Sequence, residues 1–149
     1  MRYLILVWLA GTVLTGATIT AHAQAPMTAA VVKDISVDAP PKGTFTKKRY
    51  SVKGEWEIVS VDGKPAIRFT DAFKTKNGPD LKVFLSPKPV GDLTGKTALD
   101  GAVGLGVLQS NKGGQTYTVP DGVTLADFSS VIVHCESYSV LWGGFDIPG

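Results

Sequence analysis

From Gly43 to the C-terminus, Gly, Pro, Asn and Asp cut the chain into short segments rich in Val, Ile, Phe, Tyr and Thr, and no stretch holds a helical period. Segments of this kind bury an apolar face only by pairing as strands and packing sheet on sheet. Trp56 and Ile58 alternate with Glu55 and Glu57, and Asp62-Gly63 then turns the chain toward residues 66–69, which predicts a hairpin with one face inward. Asn77-Gly78-Pro79-Asp80 is a second turn, delivering a strand over 81–85. There Gly78 is expected to supply an unusual backbone angle and Asp80 to hydrogen-bond nearby amides. Pro87, Pro89, Gly91 and Gly95 make 85–102 a loop region, extended structure resumes over 103–109, and Lys112-Gly113-Gly114 turns the chain into a strand over 115–119. After Pro120-Asp121-Gly122, one helical turn fits within 123–129. The apolar run ending at Cys135 and the segments 138–142 and 145–147 close the chain. The expected fold is all-β, an antiparallel β-sandwich of about eight or nine short strands, with a flattened β-barrel as the alternative.

The first residues read as an export signal. Met1-Arg2 is a positive start, residues 3–19 are almost uncharged and greasy, and Ala21-His22-Ala23 is a small-x-small cleavage site, so cleavage is expected before Gln24. A membrane anchor is the rival reading, disfavoured by that cleavage site and by the lack of a basic stop-transfer flank. The expected organisation is a signal peptide over 1–23, a flexible Ala- and Pro-rich leader over 24–42, and one β-domain over 43–149. The protein is then exported, periplasmic or secreted, with no transmembrane span after cleavage. Removing Arg2 from 15 basic residues leaves 14 against 13 acidic ones, a net charge of +1 that gives no electrostatic case for nucleic acid. Lys42, Lys47, Lys48, Arg49 and Lys53 cluster without an acid between them. They read as solvated edge-strand lysines, or as a patch for an acidic partner or anionic lipid.

Cys135 is the chain's one cysteine. It has no partner for an internal disulfide, so it is buried filler, a link to another molecule, or a redox group. It shares a strand face with Val131 and Val133, and apolar neighbours disfavour the thiolate. His134 points to the opposite face with Ile132 and Glu136, so His134 and Cys135 do not form a nucleophile–base pair; Glu136 is placed to orient the imidazole. Tyr138 and Trp142 are core material or the flanks of a groove that stacks on a sugar ring or flat cofactor, with Gly143-Gly144 allowing close approach. Asp71, Asp80, Asp100 and Asp127 fall near turns without calcium-loop spacing, so no metal site is assigned. G-x-S-x-G and H-E-x-x-H are absent, which leaves an enzymatic reading without a motif.

Gly43-Thr44-Phe45, Tyr50-Ser51-Val52-Lys53-Gly54, Asn77-Gly78-Pro79-Asp80-Leu81, Gly113-Gly114-Gln115-Thr116-Tyr117, His134-Cys135 and Trp142-Gly143 together resemble the DM-thirteen domain family. The resemblance spans nearly the whole expected fold and implies a small exported β-domain with an electron-transfer role, the family's cysteine corresponding to Cys135. His134, Tyr138, Trp142, Asn77 and Asp80 are the supporting binding candidates. One chain cannot assemble blue copper, covalent c-type haem or an iron–sulfur cluster, so a non-covalent haem with one ligand from His134 or Cys135 is the simplest cofactor left. The expected partner is a separate redox protein; the competing reading is a non-catalytic module that binds an envelope protein or glycan.

Overall fold

The computed structural model describes residues 39–149. The expected export signal, the cleavage site and the leader as far as residue 38 lie outside the described residues. Among the described residues no helix is long and apolar enough to cross a membrane.

Eleven strands follow one another: β1 (Lys42–Thr44), β2 (Thr46–Lys47), β3 (Val52–Lys53), β4 (Glu55–Val61), β5 (Lys64–Phe69), β6 (Lys74–Thr75), β7 (Leu81–Ser86), β8 (Val103–Val107), β9 (Gln115–Thr118), β10 (Ser130–Cys135) and β11 (Val140–Asp146). They form a four-stranded sheet in the order β1-β4-β5-β9, a five-stranded sheet in the order β2-β11-β10-β7-β8, and a two-stranded ribbon of β3 and β6. Every pairing is antiparallel and no sheet closes on itself, which makes the fold a β-sandwich and not a barrel. The count exceeds eight or nine because β2, β3 and β6 have two residues each, too few to carry an alternation that sequence can display.

Asp62 and Gly63 have φ of 51° and 77° and form a two-residue turn between Val61 and Lys64, the left-handed pair whose twist matches the β4–β5 hairpin. The inner faces of the two large sheets meet in one core. Trp56 of β4 stacks on Phe145 of β11 at 3.9 Å between centroids and 8° between planes, while Phe45 sets its edge against Phe69 and Phe145. Trp56, Phe69 and Phe145 are buried, and each such ring contributes about 1.5–3 kcal/mol over an exposed one, while Phe45 is half-buried at the edge of the cluster.

The five-stranded sheet is covered on its outer face as well. The connection between β7 and β8 folds back over it, bringing Val90, Leu93 and Ala98 against Ile132 and Leu141. The Asp146 carboxylate accepts the Val90 N–H at 2.7 Å, and the Ser130 hydroxyl donates to the Lys88 carbonyl at 2.7 Å. All six residues of β10 are therefore buried, as expected of a strand covered on both faces. Lys42 and Lys47 lie on β1 and β2, each the outermost strand of its sheet, where lysine discourages further pairing.

Candidate functional site

Strict alternation along β10 sends Val131, Val133 and Cys135 into the core between the sheets and Ile132 into the outer cluster with Leu141. His134 is 1% exposed, and Leu141 of the outer cluster is its partner across the ladder. Its Nε2 lies 2.8 Å from the Gly95 carbonyl, its Nδ1 is buried without a partner among the described residues, and its ring meets Phe84 edge-on. Glu136 does not orient the imidazole as expected. It lies past the end of β10 in the 3-10 turn Glu136–Tyr138, where its carboxylate pairs with Lys82.

The β10–β11 ladder slips once. Val133 faces Gly143 and His134 faces Leu141, so Trp142 is an extra residue with no opposite number. A bulge of this kind re-aims the side chains around it. Leu141 joins the outer cluster while Trp142 joins the inner one, and the Trp142 carbonyl is left free to accept the N–H groups of Lys48 and Tyr50, both at 3.2 Å. One inserted residue thus supplies an indole and anchors the segment that carries Arg49 and Tyr50. Tyr50 lies against Trp142 with centroids 4.1 Å apart.

These groups enclose a cleft of about 410 Å³. Cys135 contributes to its lining, with Tyr50 and Trp142 beside it, Asn77, Gly78 and Pro79 on one side, and Tyr138 at the mouth. Tyr138 is 70% exposed, whereas Cys135 is 1% exposed, so the sulfur lies under the surface of the cleft and reagent reaches it only when the wall moves. Two cations overlook the cleft: the Arg49 guanidinium and the Lys76 ammonium lie 5.8 and 5.5 Å from the Tyr50 ring centroid. Trp142 Nε1 is buried without a partner among the described residues. A slightly larger cleft, of about 420 Å³, lies beside Glu57, Arg68, Asp71 and Gln115 and contains neither cysteine nor histidine.

Asp80 sets the turn that carries Tyr138. Its carboxylate accepts the Ser137 hydroxyl at 2.8 Å and the Ser137 N–H at 3.1 Å, with Lys82 3.5 Å away, and its carbonyl accepts the Glu136 N–H. The Ser137 hydroxyl, helped by the charge of Lys82, holds the Asp80 carboxyl below the usual carboxylate range. Glu136 and Asp80 in turn raise Lys82 above the usual lysine range. Asp80 lies outside the lining of the Cys135 cleft and acts on it through the turn.

A family model described as Electron transfer DM13 matches residues 44–147. The chain belongs to this family. No curated protein and no solved structure matches it. The DM13 match runs from the last residue of β1 through the whole of β11, and the family description gives the domain an electron-transfer role.

Within the DM13 fold, four of the six candidates come together: Cys135, Tyr138, Trp142 and Asn77 share one cleft, while His134 sits in the outer core and Asp80 beneath the turn. A haem held by His134 does not fit this arrangement, because Gly95 occupies one ring nitrogen and the cleft does not include the residue. Nor is there a slot for a flat group between Tyr50 and Trp142, which pack on each other. Gly78 has no positive φ. What it provides is room, since a Cβ there would lie 2.9 Å from Leu81 and 3.0 Å from the Trp142 ring. Gly143 and Gly144 likewise admit neighbouring strands and not a ligand, a Cβ on each meeting the Thr46 carbonyl at 2.7 Å and the Val131 carbonyl at 2.4 Å. Among the described residues no three His, Cys, Asp or Glu side chains gather as a metal site. Sequence reading missed Arg49 and Tyr50 as site residues. The only available signal was an aromatic following a basic run, which edge strands also show.

Proposed function

We propose that this chain is an exported electron-transfer accessory domain whose exchange site is the Cys135 cleft and which acts with a separate redox protein. The observation that carries the reading is that the one cysteine of the sequence lines an aromatic cleft overlooked by two cations. Only opening of the cleft wall exposes the sulfur, and that opening decides when it reacts. With one cysteine per chain the exchange is intermolecular. The Cys135 thiolate attacks a partner disulfide, a new S–S bond forms, and the partner's second sulfur leaves and takes up the proton that Cys135 released. A thiol of a second, dithiol molecule then attacks the Cys135 sulfur and releases the partner as its dithiol. That molecule's other thiol closes its own disulfide and expels Cys135, so two electrons pass from the second molecule to the partner. Every 1.4 kcal/mol or so of opening free energy slows the first step about tenfold, so partner contacts that open the wall would control the exchange.

The test is native thiol titration of the periplasmic protein with a small neutral disulfide, read beside its absorption spectrum. Slow stoichiometric labelling that Cys135→Ser abolishes is expected. A colourless protein that reacts only after denaturation would overturn the reading. Exposed Tyr138 supports a second one, in which the cleft mouth stacks on a partner loop or envelope glycan while Cys135 merely packs. Glycan retention by a protein with an unreactive thiol would favour it.

A further inference from the structure

Lys53 of β3 stands directly opposite Lys74 of β6, and Lys74 forms an isolated bridge with Lys112, so three lysines lie side by side across consecutive antiparallel positions. All three are exposed, while Val52 and Thr75, the next pair on the ribbon, are buried. Lysines facing each other across strands repel and destabilise the pairing. Protection of an edge does not require this, since one inward or outward charge per strand suffices. None of Lys53, Lys74, Lys76 and Lys112 has an acidic partner within 4.0 Å among the described residues, whereas Lys64, Lys82 and Lys88 do. Lys76, two residues beyond Lys74 and on the same face, carries the positive surface to the Tyr50 ring and hence to the wall of the Cys135 cleft.

We propose that this lysine row is the docking surface for the acidic face of a partner protein, which it orients so that the partner meets the Cys135 cleft. The proposal names the partner class for the site described above and rests on that reading for what the partner does once docked. Uncompensated like charges in a line give a field that speeds encounter and fixes orientation while adding modest affinity, as suits a transient electron-exchange complex. An anionic lipid surface would meet the same charges but would lie across the cleft mouth beside them and shut out a separate redox protein.

The probe is poly-L-glutamate, with phosphatidylglycerol vesicles as the second arm, applied to the full chain at low and moderate salt. Wild type is expected to bind poly-L-glutamate with steep salt dependence, and Lys53→Gln/Lys74→Gln/Lys112→Gln to weaken binding about tenfold. The control Lys42→Gln/Lys64→Gln/Lys88→Gln, which removes the same charge elsewhere, is expected to bind as wild type does. Removing the row should leave urea stability equal or higher, which separates lost docking from lost folding. Equal weakening by both triples, no binding by wild type, or binding to the vesicles alone overturns the proposal. Cys135→Ser should bind poly-L-glutamate normally, so failure of docking and failure of the thiol chemistry register separately.

Discussion

The ring of Tyr50 rests against the ring of Trp142 with their planes tilted by 44°, and the side chains of Arg49 and Lys76 sit over the tyrosine. Tyr50 therefore holds the indole in place and screens the approach to Cys135. Tyr50→Ala is expected to cost about 1–2 kcal/mol in urea denaturation, from lost burial and ring pairing, and to speed native labelling of Cys135 at least threefold. An unchanged labelling rate would mean that another residue limits access.

Gly95 ties two features together. Its carbonyl meets His134, and a Cβ on it would lie 2.0 Å from the Ser139 carbonyl oxygen, a backbone atom with little freedom to retreat. Gly95→Ala should lower stability by more than about 2 kcal/mol in a thermal or urea melt. Gly91→Ala, in the same loop with open space around it, should change stability by less than about 0.5 kcal/mol.

Tyr117 shows how the core handles a buried hydroxyl. The phenol donates to Gln115 Oε1 at 2.6 Å and accepts the Gln109 N–H at 3.1 Å, and burial raises the phenol above its usual range. A folded-state pKa above the unfolded one adds stability that is complete below about pH 10 and is lost as pH climbs through the folded value. Tyr117→Phe should cost about 1 kcal/mol at neutral pH, because Gln115 still accepts the Gln109 N–H. It should also flatten the alkaline fall in urea midpoint above about pH 10. An unaltered alkaline limb would sink the assignment to Tyr117.

Asp80 acts at the other end of the scale. Its carboxyl is held below the usual range in the folded protein, first by the Ser137 hydroxyl and then by Lys82. The stability it lends is present above the unfolded carboxylate pKa and disappears as pH falls through the lower folded value. Asp80→Asn should flatten the dependence of urea midpoint on pH between about 2 and 4.5. It should also loosen the turn bearing Tyr138, seen as faster hydrogen exchange at Ser137 and Ser139.

The alternation along β10 was legible in the sequence, since Val131, Val133 and Cys135 fall together into the inner core and Ile132 into the outer one. So was the Asp62-Gly63 hairpin, because its left-handed pair has few alternatives. The role of residues 87–102 was not legible. Pro and Gly announce a loop, but only the tertiary fold lays Val90, Leu93 and Ala98 over the sheet and makes His134 a core residue. Two cleft residues, Arg49 and Tyr50, were hidden for a related reason: a bulge is a feature of pairing, and Trp142 carries no mark that it lacks an opposite number. Lys53, Lys74 and Lys112 become a row only through register, being 21 and 38 residues apart along the chain.

Because Trp142 is one residue more than the ladder needs, its loss would bring Leu141 and Gly143 into continuous step opposite His134 and Val133. A deletion of a single codon would thus leave both halves of β11 aligned with β10 and remove, in one stroke, the indole and the carbonyl that tethers Lys48 and Tyr50. The same codon therefore serves scaffold and cleft at once, because the indole that lines the cleft also fills the inner core.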